Sequence, residues 1–111
     1  MNIQIYGAKK CFDTKKAERY FKERNIPFQS IDIHTYGMSK SVFDAAKKCI
    51  NIEEMINRKA KAYQTLYMDY IDETKREITL FENPALFQTP IVRNGKSFTL
   101  GYCPEIWKTW F

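Results

Sequence analysis

Apolar and polar residues alternate over Asn2-Ile3-Gln4-Ile5-Tyr6 and stop at Gly7, the pattern of a short strand with one buried face. Over residues 13–24 the period changes to that of a helix. Ala17, Tyr20, Phe21 and Arg24 fall on one stripe, and Asp13 and Thr14 stand at its start as natural caps. Asn25 stops the helix, and residues 28–33 read as a second strand with Ile31 and Ile33 on one face. Strand, helix and strand at this spacing predict a parallel pair with a right-handed crossover.

The middle of the chain reads as helical. Ser39 caps a helix whose stripe is Val42, Phe43, Ala46 and Cys49, and Asn51 with Glu54 has capping-box spacing. After a lysine-rich stretch, Tyr63, Leu66, Tyr67 and Tyr70 recur at helical intervals. Thr74 and Glu77 form a second capping-box pair, opening a helix that ends at Asn83-Pro84. Near the end, residues 90–93 and 96–100 flank Asn94-Gly95, a strong hairpin signal. Pro104 fits the first position of a terminal helix carrying Ile106, Trp107 and Trp110.

Composition narrows the class without changing this outline. At 111 residues and 44% hydrophobic, the chain suits a single domain, 1–111, around one core. No apolar run approaches the ~20 residues of a membrane span, and the chain opens directly into a strand with no signal peptide, so a cytoplasmic, membrane-free protein is expected. Three cysteines and one histidine, with no CxxC or HxxxH pair, argue against a disulfide framework and against a bound metal. The net charge of +5 is spread along helices beside glutamates. That excludes direct nucleic-acid reading, while leaving an attraction for an oxyanion, an acidic tripeptide or an acidic protein partner. A monomer is expected.

One cysteine stands apart. Cys11 sits between the first strand and the first helix, where the partial positive charge of a helix N-terminus favours a thiolate. Lys9, Lys10, Lys15 and Lys16 crowd the same turn and act in the same sense. Cys49, on an apolar stripe, is assigned to core packing, and His34 is a lone loop histidine without an assigned role.

The run Ile5-Tyr6-Gly7, Cys11-x-Asp13-Thr14 and Lys16-Ala17, followed by Asn57-Arg58-Lys59, Glu82-Asn83-Pro84, Thr89-Pro90-Ile91-Val92 and Gly101-Tyr102, resembles the ArsC/Spx family over essentially the whole chain. That family comprises arsenate reductases, Spx transcriptional regulators and ArsC-like proteins. The resemblance implies an α/β fold of thioredoxin-like type, β-α-β then β-β-α on a mixed four-stranded sheet. Residues 39–82 would be a helical insertion between the second and third strands. It also implies a cis peptide at Thr89-Pro90, presenting the Thr89 backbone to an extended thiol peptide.

For function, the resemblance implies a thiol oxidoreductase with Cys11 as nucleophile and glutathione or another small thiol as co-substrate, with no tightly bound cofactor. Thr14 takes the place where Spx proteins usually carry the second cysteine of a Cys-x-x-Cys switch, and its hydroxyl can bond the Cys11 thiolate or cap the helix. Strand directions return Cys103 to the Cys11 end as a candidate resolving thiol. Lys9, Lys10, Lys15, Arg58, Thr89, Pro90, Gly101 and Tyr102 are the candidate substrate contacts. The alternative is an Spx-like regulator that binds the RNA polymerase α subunit. A true arsenate reductase is a weaker third reading, because that family branch carries an arginine where this chain has Thr89 and another where it has Leu100-Gly101-Tyr102-Cys103.

Overall fold

The computed structural model describes residues 2–111. Four strands, β1 (Ile3–Gly7), β2 (Phe28–Asp32), β3 (Ile91–Asn94) and β4 (Ser97–Leu100), form one sheet in the order β2-β1-β3-β4. β1 and β2 are parallel, with Ile5 opposite Ser30. β3 is antiparallel to β1, with Tyr6 opposite Ile91, and β4 is antiparallel to β3. This is the mixed sheet expected of the thioredoxin-like arrangement.

Alternation along β1 divides the core in two. Ile3 and Ile5 join Val92 beneath helix α1 (Phe12–Glu23), whose Ala17, Tyr20 and Phe21 pack with Trp107 of α7 (Pro104–Trp107). Tyr6 and Ile91 turn to the other face. They meet Phe43, Met55, Met68, Leu80 and Phe87 from the segment between β2 and β3. That segment holds α2 (Ile33–Tyr36), α3 (Lys40–Lys47), α4 (Ile52–Met55), α5 (Lys61–Thr65) and α6 (Glu73–Glu82), with single 3₁₀ turns at Met68–Tyr70 and Pro84–Leu86.

Several local expectations shift. α1 begins one residue before Asp13: Cys11 itself occupies the N-cap, and Asp13 and Thr14 lie inside the first turn. Ile33 belongs to α2 rather than to β2. Asn51 does cap α4, but its side chain accepts from the Glu53 N–H, with no return bond from Glu54. The tyrosine periodicity does not make one helix. α5 ends at Thr65, Tyr67 takes φ +54, and Tyr67 and Tyr70 are exposed. α6 starts from Asp72, which leaves Thr74 within its first turn. In the hairpin, Asn94 pairs with Ser97, so the connection is Gly95-Lys96 with Gly95 at φ +60, one residue later than the Asn-Gly signal suggests.

Cys49 requires a correction. α3 stops at Lys47, so the helical stripe does not reach it. Cys49 is exposed, and its Sγ donates to the Lys96 carbonyl at 3.3 Å.

Candidate functional site

The turn from β1 into α1 is built to hold a sulfur atom. The Cys11 N–H donates to the Ala8 carbonyl at 3.2 Å, and the Cys11 carbonyl accepts from Lys15 N–H at 3.3 Å, closing the first turn of the helix. Cys11 at the N-cap places its side chain at the helix end, where the first-turn amides have no acceptor within the helix. Thr14 is buried, and its Oγ1 accepts from the Ala8 N–H at 3.2 Å, leaving its own hydroxyl proton free to donate. Gly7 makes this packing possible: a Cβ there would lie 2.7 Å from Thr14 Oγ1.

Across the site, Thr89-Pro90 is a cis peptide, as the resemblance implied. The Cys11 Sγ is 3.6 Å from the Thr89 carbonyl. Partial burial pushes the Cys11 thiol up. The side-chain hydrogen bonds from Thr14 and Thr89, with the backbone amides of Thr14 and Asp13, outweigh it, so the thiol lies below its ordinary value. Cys103 goes the other way. Burial pushes its thiol up, a hydrogen bond with Thr99 only partly offsets this, and the Asp13 carboxylate adds to the rise. Its Sγ donates to the Leu100 carbonyl at 3.2 Å, and it packs on the α1–α7 layer.

Cys11 opens into a cleft of about 560 Å³ whose walls include Lys9, Lys10, Asp13 and Thr89. Asp32, His34, Asn57 and Gln88 complete it. These four were not singled out as site residues from the sequence. Asp32 ends β2 and His34 lies just beyond it in α2; β2 runs parallel to β1 and ends at the same edge. Asn57 and Gln88 are brought there by an isolated bridge between Ile56 and Phe87 and by a 2.7 Å bond from Gln88 N–H to the Met55 carbonyl.

The other candidate contacts fall around this cleft. Lys15 lines a groove of about 400 Å³ between α1 and β2 that shares Ala8, Lys9 and Asp32 with it. Arg58 is exposed, pairs with Glu53 at 3.3 Å, and borders a neighbouring groove that shares Asn57 and Gln88. Gly101, at φ +84, donates its N–H to the Pro90 carbonyl at 2.8 Å and so braces the cis-proline from β4. Tyr102 lies edge-on to Trp107 with the Lys16 ammonium 5.7 Å from its ring, beside α1. Arg93 lies opposite Gln4, at the hairpin end of the sheet, where it bonds Gln4 Oε1 at 3.0 Å. No guanidinium is among the residues that line the Cys11 cleft.

Among the described residues no group of three or more His, Cys, Asp or Glu side chains is placed to hold a metal ion, and no helix is long and apolar enough to cross a membrane.

The family model described as the ArsC family matches residues 6–110. The chain belongs to the ArsC family. It is 27% identical over 107 residues to the global transcriptional regulator Spx of Lactiplantibacillus plantarum, covering 90% of this chain and 79% of that one. In fold it resembles an ArsC family related protein from Bacteroides fragilis, with a TM-score of 0.84, 19% identity, and 100% and 98% of the two chains covered. It also resembles the arsenate reductase from Vibrio cholerae, at TM-score 0.79 and 20% identity over 96% and 94%. The names of these similar proteins include both a regulator and a reductase.

Proposed function

We propose that this ArsC-family protein is a thiol-dependent oxidoreductase whose nucleophile is Cys11, working with glutathione or another small thiol as co-substrate in the cytoplasm. The observation that carries this reading is the lowered Cys11 thiol at an open cleft, set against the raised Cys103 thiol. This difference directs attack from Cys11 rather than Cys103, and Thr14 is the hydroxyl that steadies its thiolate. Thr89 offers its backbone beside the cis-proline, and Lys9 and Lys10 supply the positive charge for a carboxylate-bearing thiol. Cys103 is the candidate resolving thiol. That role requires Cα atoms within about 7 Å on closure, and a Cys11–Cys103 disulfide recovered by mass spectrometry after peroxide treatment tests it.

The test of the nucleophile is the alkylation rate of each cysteine against pH. Cys11 is expected to titrate below an ordinary thiol and to react ahead of Cys103. Cys11→Ser is expected to remove mixed-disulfide formation at the cleft. An ordinary titration for Cys11, together with unchanged exchange in the serine variant, would sink the proposal.

A second reading is supported by the curated Spx relative: a regulator that binds the RNA polymerase α subunit. Retention of that subunit's C-terminal domain by the immobilised protein, independent of Cys11, would favour it. Arsenate reduction is the weakest reading. A thiolate flanked by lysines, without bidentate guanidinium donors, holds a multiply charged oxyanion poorly.

A further inference from the structure

His34 stands in the Cys11 cleft without a part in the proposal above. It is exposed, yet its ring is held: Nε2 lies 3.1 Å from the carbonyl oxygen of Phe87. A carbonyl only accepts, so Nε2 carries the proton and Nδ1 is the bare nitrogen of the neutral ring. Two residues further along the same segment, the Thr89 carbonyl holds the Cys11 sulfur. Two residues of chain span at most about 7 Å, so the two carbonyls that hold the thiol and the imidazole belong to one short stretch of backbone. Gln88, between them, is itself fixed by its bond to Met55.

We propose that His34 is the general acid for thiol–disulfide exchange at Cys11, protonating the departing sulfur. The inference rests on Cys11 being the nucleophile. In the step, the Cys11 thiolate attacks one sulfur of a disulfide R–S–S–R, a new Cys11–S–S–R bond forms, and the old S–S bond breaks. Its electron pair goes to the leaving sulfur, which takes the proton from the His34 imidazolium and departs as R–SH. Attacking and leaving sulfurs flank the central one at about 2 Å on each side. The leaving sulfur therefore sits about 4 Å from Cys11, in the cleft that His34 also lines.

The charged and titratable groups that line the cleft with His34 are Lys9, Lys10 and Cys11 of the β1–α1 turn, Asp13 of α1, and Asp32 at the end of β2. Asp32 is bonded to Thr35 on the neighbouring position of α2. The Pro84–Leu86 turn packed against α2 contributes no titratable side chain, and Tyr6 of β1 directs its hydroxyl to Gln4.

The test compares two disulfides in single turnovers, with the adduct on Cys11 followed by peptide mass spectrometry. Bis(2-hydroxyethyl) disulfide expels a basic alkyl thiolate that needs a proton, whereas 5,5′-dithiobis(2-nitrobenzoate) expels a weakly basic aromatic thiolate that does not. His34→Gln retains an N–H for the Phe87 carbonyl but transfers no proton, and His34→Ala is the second variant. Both are expected to slow the alkyl disulfide about 100-fold and leave the aromatic disulfide within about twofold. Equal slowing of both disulfides would make His34 a mere anchor of the Phe87 segment and overturn the inference, as would no slowing of either. If Cys11→Ser releases thiol from both disulfides as fast as the native chain, the nucleophile assignment fails first. If only the His34 variants are silent, that assignment survives.

Discussion

On one face of the sheet, a single twelve-residue helix lays Ala17, Tyr20 and Phe21 over Ile3, Ile5 and Val92, and the Trp107 indole closes the layer at 5.1–5.2 Å from both aromatic rings. On the other face, five short helices and two 3₁₀ turns cover Tyr6 and Ile91, and part of their order comes from a charged network. Arg76 donates to both Glu53 oxygens at 2.9 Å and to the Met68 carbonyl, while Tyr63 bonds Asp69 at 2.5 Å. The first layer is held by continuous apolar contact, the second by joints between pieces too short to be stable alone. The cleft lies where the two meet, with Cys11 supplied by the helical layer and His34, Asn57 and Gln88 by the jointed one.

The largest effect is expected from breaking the apolar layer. Trp107 is fully buried, and its Nε1 donates to Thr99 Oγ1 at 2.8 Å. Trp107→Ala should cost about 3–5 kcal/mol, from the cavity and from a buried hydroxyl left unpaired. Denaturant unfolding measures this, and a loss under about 1 kcal/mol would mean that the layer does not depend on its indole.

Next comes the joint at Arg76, whose side chain is only 11% exposed. Arg76→Met keeps the volume but strips Glu53, Tyr63 and the Met68 carbonyl of their donor, and should cost about 2–3 kcal/mol. The same variant carries a pH signature. The Arg76 hydrogen bond, against the opposing effect of burial, holds the Glu53 carboxyl below its ordinary value. The folded state therefore binds this proton less readily than the unfolded chain. The associated stability is present above the ordinary carboxylate value of about 4.3 and is lost as pH falls through the folded one. Stability measured from pH 6 to pH 3 should fall less steeply in Arg76→Met than in the native chain.

The same contrast governs what the sequence revealed. β1, α1 and the hairpin announce themselves through local pattern, because each buries one face against a neighbour nearby in the chain. The jointed layer does not, since Tyr63, Arg76 and Glu53 make sense only as a network closed across more than twenty residues. For the same reason the placement of Cys11 was legible from a turn before a helix, whereas the cleft around it was not. Its walls come from separate segments, and His34 gains its orientation from a carbonyl 53 residues away.

A smaller change tests whether the two layers meet at Thr14. Gly7→Ala forces its methyl against the Thr14 side chain, which has no room to retreat beneath α1. It should cost about 1–2 kcal/mol by overpacking. Displacing the hydroxyl that favours the thiolate should also raise the pH at which Cys11 becomes reactive, read from its alkylation profile. A stability loss without a change in Cys11 titration would show that Thr14 serves only the packing.

The smallest effect compares how the two layers end their helices. α1 closes with Asn25 at φ +56. Its N–H donates to the Lys22 carbonyl at 3.1 Å, and the next N–H, of Ile26, donates to the Phe21 carbonyl at 2.9 Å. That is a Schellman stop at a residue suited to the left-handed region. α5 also ends on a left-handed residue, Tyr67 at φ +54, whose N–H donates to the Gln64 carbonyl at 3.0 Å, but it lacks the second bond of the Schellman pair. A tyrosine there bears the steric cost of its Cβ against the following carbonyl, roughly 1–2 kcal/mol. Its ring is 70% exposed, so little packing compensates. Tyr67→Gly removes the clash while adding freedom to the unfolded chain, and Tyr67→Asn relieves only part of it. Both should therefore stabilise the protein, by at most about 1 kcal/mol. The paired change Asn25→Tyr should destabilise it by about as much. If Tyr67→Gly instead weakens the fold, then the exposed ring at this joint contributes more than its backbone costs.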